Sequence, residues 1–444
     1  MPNQKRSSLS IDADVLGSAI NKYRRNRRLR STLRSLLAVL SVLSILFLIL
    51  IYSPLRTIVD LARVTIGSKY LVVFANDAEL RPSGGFIGSF AVVDASNILP
   101  KVEYVETNIY AKDNRFEKNS FVTLPEPLQE NLGKDKSWTL HDSNWDPDFR
   151  VSAQYIKWFY EKEYDDNIDG VILINTVAIK RLLQYTGSIK HGSDKELSSD
   201  NIYELLGNSV ENDYWADPRN EEINKPKSII AELEPILLRK TYSMPFGKIL
   251  KYVRTTLSRK EIVFWSGNAN QQSIISSNNW AGNIDPSQIF ISSNNATVGT
   301  KSSQNINETL LVDISSTDNL IAIKERREQT KLDGQFGGGE NVSFSQIILP
   351  PESKIESYKI NGIENIFKAY IQDNGRYASV GSWTKIDKGQ PLNIEVLGKL
   401  PSFNPNQPLC IYKQVGSQNK SLEIKIDNVS VFNGELEKDV CVEK

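Results

Sequence analysis

The chain is 444 residues long and formally neutral, because 53 Lys and Arg residues balance 53 Asp and Glu residues. The charges are unevenly spread: residues 1–34 hold nine basic and two acidic residues, which leaves 44 basic and 51 acidic residues for the rest. A nucleic-acid-binding domain needs a basic face on its folded part, so nucleic acid is not an expected partner. With two cysteines and two histidines, a Cys/His zinc site is excluded as well.

An uncharged apolar stretch at 35–55 follows the basic N-terminus. About 20 residues in a helix cross the hydrocarbon core of a bilayer, so this stretch predicts one transmembrane helix. Basic residues stay on the cytoplasmic side, which predicts a cytoplasmic tail at 1–34 and a single-pass protein of the cell membrane with its bulk outside. A cleaved signal peptide is the alternative, but its apolar region is typically shorter, about 7 to 15 residues.

Strands rich in Val, Ile and Phe are predicted after a short stem at 56–69. The residues between the first two strands, NDAELRPSGG, are expected to form a polar, glycine-bearing turn. A loop-like acidic region should then extend to about Lys136. The predicted strands are Tyr70–Ala75, Phe86–Asp94 and Val102–Tyr110.

The hydrophobic period changes to that of a helix after Asp146, and Asp146 or Asp148 is the expected N-cap. The apolar run Gly170–Asn175 then has the length of a buried strand, and Thr176–Tyr185 is typical of a helix. Alternating strands and helices predict an α/β layered domain at 70–305. Further predicted elements are helices at Asp200–Val210, Lys227–Arg239, Phe246–Ser258 and Gln271–Ser277 and a strand at Ile262–Trp265.

Short alternating strands separated by turn residues predict a β-sandwich-like, all-β domain at 306–444. The polar segment SSQNINE places the boundary near residue 305. Cys410 and Cys441 both lie in this part of the chain. Oxidation outside the cell would allow a disulfide between them, and two free thiols are the alternative, which the sequence leaves open.

The first candidate site is the segment ELRPSGG at 79–85. Glu79 and Arg81 leave the end of a strand, and Gly84 and Gly85 would let backbone N–H groups approach a ligand. The arginine fork suits phosphate or carboxylate. The alternative is an ordinary glycine-bearing turn with a local ion pair, since no phosphate-loop motif is present.

The second candidate site is the acidic loop HDSNWDPD that leads into the predicted helix. Asp142, Asn144 and Asp146 have the spacing of the first three EF-hand ligands, but Pro147 occupies the position that requires glycine. Two hypotheses remain. The loop holds Mg²⁺ for a phosphorylated ligand, or Asp146 and Asp148 cap the helix.

Asp169, Lys225 and Lys227 complete the candidate ligand-binding residues. Asp169 precedes a glycine and a buried strand, where a turn is the simpler interpretation. The two lysines begin a predicted helix and could reach a phosphate, although basic residues on exposed turns are common. Neither G-x-S-x-G nor H-E-x-x-H occurs, so these hydrolase motifs are absent from the sequence.

Three long motifs occur in an order that resembles the bacterial family called domain of unknown function 4012. They are YLVVFANDAELRPSGGFIGSF, HDSNWDPDFRVSAQYIKWFY and DGVILINTVAIKRLLQYTGSI, with weaker echoes at IVFWSGNANQQSI, NNWAGNI and YKQVGSQ. The resemblance covers about Tyr70 to Glu423. That family in turn is similar to the LytR-CpsA-Psr transferases, membrane-anchored enzymes that move glycopolymers from polyprenyl-pyrophosphate carriers onto the cell wall.

The second resemblance implies a LytR-CpsA-Psr-like fold and a set of residue roles. Arg81 and Asp142 would be catalytic, with Arg81 neutralising pyrophosphate oxygens. Glu79, Asp142 and Asp148 would hold Mg²⁺, and Lys225 or Lys227 would supply the basic start of a late helix. The remaining positions carried over as ligand-binding are Gly84, Gly85, Asn144 and Asp169. Lysine replaces the expected arginine at the late helix, and the second sheet arginine of the transferases is not evident, so binding could persist without catalysis.

Two functions are therefore considered. The leading hypothesis is a cell-envelope protein that binds a polyprenyl-phosphate-linked glycan, with transfer to the cell wall as a further step. The alternative is a non-catalytic surface scaffold or adhesin. A deep apolar tunnel beside Arg81 would favour the lipid carrier, and a solid core would favour the scaffold.

Overall fold

The computed structural model describes residues 55–97, 100–106, 108–191, 195–210, 228–285, 287–293, 301–331, 336–386, 389–401, 408–418 and 420–442. The predicted cytoplasmic tail at 1–34, the predicted span at 35–55 except Leu55, and both Lys225 and Lys227 lie outside these ranges. In the described part, no helix is long and apolar enough to cross a membrane. The chain divides into two compact units, 1–60 and 61–444.

The described ranges contain nine α-helices and twenty strands, numbered here in chain order. The helices are α1 (Leu55–Thr65), α2 (Ile109–Asn119), α3 (Glu126–Leu132), α4 (Phe149–Tyr164), α5 (Thr176–Thr186), α6 (Ile202–Asn208), α7 (Ser228–Tyr242), α8 (Phe246–Ser258) and α9 (Ala269–Ser277). Short 3₁₀ turns lie at Leu140–Asp142, Ser303–Asn305 and Ile366–Lys368. The first ten strands are β1 (Lys69–Arg81), β2 (Gly84–Asp94), β3 (Lys101–Glu106), β4 (Gly170–Asn175), β5 (Ile189–His191), β6 (Lys195–Leu197), β7 (Ile262–Ser266), β8 (Ile289–Ser293), β9 (Ile306–Ser315) and β10 (Leu320–Gln329). The other ten are β11 (Asn341–Leu349), β12 (Lys354–Ile360), β13 (Ile363–Glu364), β14 (Tyr370–Asp373), β15 (Ala378–Ile386), β16 (Leu392–Lys399), β17 (Leu409–Tyr412), β18 (Ser421–Ile426), β19 (Val429–Glu435) and β20 (Val440–Val442).

A five-stranded sheet in the order β3-β2-β1-β4-β7 organises the first half of the larger unit. Strands β1 and β4 are parallel, and the other pairs are antiparallel. Successive side chains of a strand point to opposite faces. Leu71 and Val73 of β1 therefore join the core under α4, whereas Val72 and Phe74 face the side where α5, α6 and α7 lie.

Most predicted elements of this half are confirmed. Helix α4 follows the acidic loop, β4 covers Gly170–Asn175, and Gly187 is the C-cap of α5. The predicted turn NDAELRPSGG was wrong, because β1 extends to Arg81 and β2 begins at Gly84, with an irregular register between Asn76 and Leu80. The loop expected up to Lys136 contains the helices α2 and α3.

Two further sheets enclose a single apolar core in the second half. Their orders are β13-β12-β16-β10-β9-β18-β19 and β14-β15-β11-β8-β17-β20. Ile291 and Ile347 of one sheet pack in the same cluster as Val312 and Ile323 of the other, which is the arrangement of a β-sandwich. Strand β8 already belongs to this sandwich, so the sandwich includes residues before 305. The domain boundary near residue 305 stays a prediction. Cys410 and Cys441 form a disulfide between β17 and β20.

The sandwich packs against the α/β half through aromatic side chains. The ring centroid of Trp145 lies 5.6 Å from that of Phe344 and 6.4 Å from that of Trp383. The Trp383 Nε1 donates to the Pro127 carbonyl oxygen at 3.0 Å. Residues of the sandwich can therefore contribute to a site at the end of β1.

Candidate functional site

The end of the β1–β2 hairpin carries the first candidate site, and its glycines allow close packing. Gly84 has a φ of +126°, and a Cβ on Gly85 would lie 2.2 Å from the Asn76 carbonyl carbon. The Gly85 N–H donates to Asn175 Oδ1 at 2.9 Å, and its carbonyl accepts from Asn144 Nδ2 at 2.8 Å. The N–H that was expected to approach a ligand is thus used inside the protein.

Arg81 is 2% exposed and is held by Asp142. Its Nε and Nη2 both donate to Asp142 Oδ1 at 3.2 Å. Its guanidinium carbon lies 5.3 Å from the centroid of the Phe86 ring. Within the described residues its Nη1 has no hydrogen-bond partner. The ion pair of Arg81 is therefore made with Asp142, across 61 positions of sequence, and not within the turn.

His141 extends this pair into a cluster of alternating charge. Its Nε2 lies 3.1 Å from Asp142 Oδ2, and its Nδ1 contacts Asp113 Oδ2. Burial lowers the pKa of His141, but Asp142 and Asp113 outweigh this effect and raise that pKa to about 10. Burial would raise the pKa of Asp142, yet the charges of His141 and Arg81 hold it well below its usual range. We call these four residues the Arg81 cluster.

Glu163 borders the Arg81 cluster without adding charge at neutral pH. Burial, followed by the negative charge of Asp113, raises the pKa of Glu163 to about 9. With Glu163 protonated, the two cations of the cluster balance its two carboxylates. The Arg81 cluster therefore offers no uncompensated positive charge to an anionic ligand.

Asp148 is the N-cap of α4, which confirms the capping hypothesis for this residue, and Asp146 binds the cap residue itself. Asp148 is fully buried and accepts from the Arg150 backbone N–H at 3.0 Å. Its Oδ2 also binds the guanidinium groups of Arg150 at 3.0 Å and Arg376 at 2.8 Å. Asp146 Oδ1 accepts from the Asp148 N–H at 2.8 Å. Burial raises the pKa of Asp146 to about 6.

The carboxylates expected to hold Mg²⁺ are engaged with cationic side chains. Asp142 binds Arg81, Asp148 binds two arginines, and a metal ion beside either carboxylate would repel these groups. Across the described ranges, no group of three or more His, Cys, Asp and Glu side chains could hold a metal ion. A magnesium site formed by Glu79, Asp142 and Asp148 stays a prediction that this arrangement does not favour.

The remaining predicted residues occupy different places. Asn144 is fully buried beneath the hairpin, and Asp169 lies at the opposite end of β1 from Arg81, where it accepts the Lys69 N–H at 2.7 Å. Asp169 therefore joins two strand starts and does not meet the other candidates. Glu79 lines a cavity on the far face of the sheet.

That cavity has a volume of about 790 Å³ and lies between the sheet and the helices α5, α6 and α7. Small residues of β2 leave the space: Gly88, Ser89 and Ala91 all line it. Leucine and isoleucine side chains from the helices form the opposite wall. They are Ile179, Leu182, Ile202, Leu206, Leu233, Leu237 and Leu238.

The cavity has a polar end and an exposed rim. Within the described residues, Glu79 is the only acidic and Lys301 the only basic side chain in its lining. Val102 and Tyr110 line it while remaining 46% and 43% exposed, so the cavity reaches the surface there. Phe86 forms part of the wall, whereas Arg81, whose guanidinium carbon lies 5.3 Å from the centroid of that ring, is not in the lining.

Sequence reasoning missed the contributions of the sandwich to this region. Gln414 Nε2 donates to the Arg81 carbonyl oxygen at 2.9 Å, and Ser83 forms a bridge with Val415. A Cβ on Gly416 would lie 2.5 Å from Asn175 Oδ1. The sequence did contain an indication of these contacts, because Gln414, Val415 and Gly416 lie in the weaker family motif YKQVGSQ. Arg376, which binds Asp148, lay in no motif.

Comparison with known proteins shows one family match. Residues 67–210 match the family described as Protein of unknown function (DUF4012), which confirms the first predicted resemblance over that segment. No curated protein matches. The similarity to the LytR-CpsA-Psr transferases stays a hypothesis.

Similarities to solved structures are weak. A candidate nutrient binding protein from Legionella pneumophila is 10% identical with a TM-score of 0.19 over 31% of this chain and 55% of that chain, about half its length. A transcriptional regulator from Enterococcus faecalis is 14% identical with a TM-score of 0.24 over 49% and 74%. Leukotriene A4 hydrolase from Saccharomyces cerevisiae is 8% identical with a TM-score of 0.16 over 32% and 28%. At these scores the similarities carry no argument.

Proposed function

Residues 67–210 match a family whose function is unknown, so the family match does not indicate a ligand. From the shape and lining of the cavity, we propose that the α/β part binds the lipid chain of a polyprenyl-phosphate-linked glycan. The protein would act outside the cell membrane, held there by the apolar segment 35–55, as an envelope protein of LytR-CpsA-Psr-like type. The observation that carries this proposal is the apolar cavity between the central sheet and the helices α5 to α7.

The size and lining of the cavity suit a hydrocarbon chain. Ligand sites usually have volumes of about 300 to 1,000 Å³ and mostly apolar walls, and a volume of about 790 Å³ falls in this range. Each buried CH₂ group contributes about 0.8 kcal/mol to the binding of an acyl or prenyl chain. A branched, flexible chain would follow the leucine and isoleucine wall described above.

The phosphate end would lie at the polar end of the cavity. Lys301 is the basic lining residue there, among those described, and a phosphate prefers such a cation. Arg81 is less suitable in the present arrangement, because it is not in the cavity lining. We therefore assign headgroup binding to Lys301.

Transfer of the glycan would require a change at Arg81. Only its Nη1 is available for a new hydrogen bond while Nε and Nη2 bind Asp142. The proposed function is accordingly binding, and the catalytic roles of Arg81 and Asp142 stay predictions. The cavity supports the lipid-carrier hypothesis over the scaffold, which expected a solid core.

The test measures binding of geranylgeranyl diphosphate to the purified full chain by isothermal titration calorimetry. Ala111 lines the cavity at an exposed position of α2. Ala111→Trp should obstruct the entrance and weaken binding about tenfold or more, which is about 1.4 kcal/mol. Lys118→Trp is the matched control, because Lys118 is exposed on the same helix outside the cavity lining.

Two results would contradict the proposal. Equal affinity of wild type and Ala111→Trp would remove the cavity as the binding site. Lys301→Met should weaken binding of the diphosphate and leave binding of geranylgeraniol, which has no phosphate, unchanged; equal effects on both ligands would remove Lys301 as the headgroup residue.

A further inference from the structure

Four charged side chains occupy inward-facing positions of the β-sandwich, where alternation otherwise places aliphatic residues. On β9, Glu308 lies between the inward residues Ile306 and Leu310. On β10, Glu325 and Arg327 continue the inward series that begins with Ile321 and Ile323. Lys420 precedes β18 by one residue and continues the series of Leu422 and Ile424. We call Glu308, Glu325, Arg327 and Lys420 the Lys420 cluster.

The strand register brings these side chains together. Parallel pairing of β18 with β9 sets Ser421 beside Thr309, so Lys420 lies beside Glu308. Arg327 is directly opposite Glu308 across β9 and β10. The Lys420 Nζ contacts Glu308 Oε2 and lies 3.6 Å from Glu325 Oε1.

Three members of the Lys420 cluster are buried, the Glu308 side chain is 12% exposed, and the cluster is incompletely satisfied. Glu325 and Arg327 are each 2% exposed and Lys420 is 3% exposed. Within the described residues, neither oxygen of Glu325 has a hydrogen-bond partner. Arg327 is better held, since its Nη1 donates to Ser343 Oγ and Ser345 Oγ, both at 2.9 Å. Ionised groups in such an interior cost several kcal/mol each, so conversion of an ion pair to a neutral group would be favoured.

From this geometry we propose that Lys420 and Glu308 condense to an amide, an intramolecular isopeptide bond that joins β18 covalently to β9. The lysine nitrogen is in contact with the carboxylate that it would attack. A second carboxyl group, Glu325, lies beside the same nitrogen. Arg327 Nε lies 3.6 Å from Glu308 Oε1, where its charge would stabilise the oxyanion that forms.

The reaction balances without a co-reactant. The Lys420 ammonium first returns a proton to the Glu308 carboxylate, so that both groups become neutral. Burial favours the neutral pair, whereas the mutual attraction that raises the pKa of Lys420 and lowers the pKa of Glu308 opposes this step. The amine then attacks Cδ of Glu308 and forms the Nζ–Cδ bond. Glu325 donates its proton to the leaving oxygen and accepts one from the nitrogen, so the Cδ–O bond breaks and one water molecule leaves. Glu325 ends the reaction as the acid with which it started.

The surroundings of Glu325 support this role. Burial, and then the negative charge of Glu308, raises the pKa of Glu325, although Lys420 opposes this effect. Glu308 differs: burial would raise its pKa, but Lys420 and Arg327 lower it. The pKa values of the two carboxyl groups are thus shifted in opposite directions, and the contacts of Lys420 Nζ assign Glu308 as the acyl donor and Glu325 as the proton shuttle.

The test is the intact mass of the purified full chain under reducing conditions. The expected mass is that of the sequence less one water molecule, and peptide mapping should find residue 420 joined to residue 308. A mass equal to that of the sequence, or a cross-link that maps to Glu325, would overturn the proposal. The wild-type measurement requires no variant to fold.

Variants separate the roles of the two carboxyl groups. Glu325→Gln keeps the side-chain shape and should abolish the loss of water in a protein that still unfolds cooperatively; a complete cross-link in this variant would overturn the role of Glu325. Lys420→Met should also keep the full mass. The internal control is the surface pair Lys425 and Glu423, 3.6 Å apart and each 32% exposed, which should remain unjoined in the same peptide map.

Discussion

The Arg81 cluster and the Lys420 cluster are both buried groups of opposite charges, but their contacts differ. In the first, two nitrogens of Arg81 donate to one oxygen of Asp142, and His141 lies between two carboxylates. In the second, the nearest Lys420–Glu325 contact is 3.6 Å and the Glu325 oxygens have no hydrogen-bond partner among the described residues. The first cluster lies beside a cavity, and the second lies inside an apolar core.

The difference shows how a fold can satisfy buried charge in two ways. Hydrogen bonds in good geometry repay much of the desolvation cost of an ion pair. The Arg81 cluster has such bonds from Arg81 and His141 to Asp142, although Arg81 Nη1 and Asp113 Oδ1 lack partners among the described residues, so it can persist as ions and respond to pH. The Lys420 cluster lacks part of them, and the proposed amide would remove two of its charges. Three predictions test the Arg81 cluster in this contrast, from the largest expected effect to the smallest.

Arg81→Met should lower the free energy of unfolding by about 3 to 5 kcal/mol, because it leaves Asp142 buried without its main partner. Urea denaturation of the full chain measures this loss. The matched control is Arg326→Met, which removes an arginine from the exposed pair with Glu328 and should change stability by less than about 1 kcal/mol. Equal small effects in both variants would mean that the Arg81 cluster is not an ion pair that the fold depends on.

His141→Gln should lower stability by about 3 kcal/mol at pH 6 and by progressively less at higher pH. The pKa of His141 is raised to about 10 in the folded protein, so its contribution is complete below about 6.5, the pKa of the unfolded chain. That contribution is lost as the pH rises through about 10. Urea denaturation at pH 6, 8 and 10 measures the narrowing difference, and a constant difference would contradict a charged His141.

Glu163→Gln should raise stability by about 2 kcal/mol at pH 8 and leave it unchanged at pH 4. Because the folded-state pKa of Glu163 is about 9, wild type loses stability as the pH rises above about 4.5, where the unfolded carboxyl ionises. Glutamine cannot ionise and avoids this loss. Glu117→Gln on α2, a carboxylate outside the Arg81 cluster, is the comparison variant. A destabilised Glu163→Gln at pH 8 would show that the buried acid is ionised.

Local patterns predicted much of the α/β half correctly. The helical period, the Asp148 cap and Gly187 are properties of adjacent residues, so α4, β4 and α5 could be placed from the sequence. The extension of β1 to Arg81 could not, because polar residues at a strand end resemble a turn until their partners are known. Helix α2 was missed because few of its residues are apolar, so it has no clear helical hydrophobic period. Its buried residues are Ile109 and Asp113.

The sequence predicted several residues of the candidate site, but it did not predict which of them contact one another. Arg81 and Asp142 were selected from two separate motifs, and the fold joins them as an ion pair. His141 was not among the candidate residues, whereas Asp113 and Asp142 together raise its pKa to about 10. Gly85 was expected to let a ligand approach its backbone N–H. Instead, the close Asn76 backbone explains why glycine occupies this position.

The sequence by itself determined the order of elements in the α/β half, the run of strands that follows, and the family resemblance over 67–210, because period, capping and motif are written in neighbouring residues. Tertiary structure alone decided the cavity, since small residues of β2 leave space only where α5, α6 and α7 face them. It also decided both charge clusters. Arg81 meets Asp142, and Lys420 meets Glu308, across distances in sequence that no local pattern encodes.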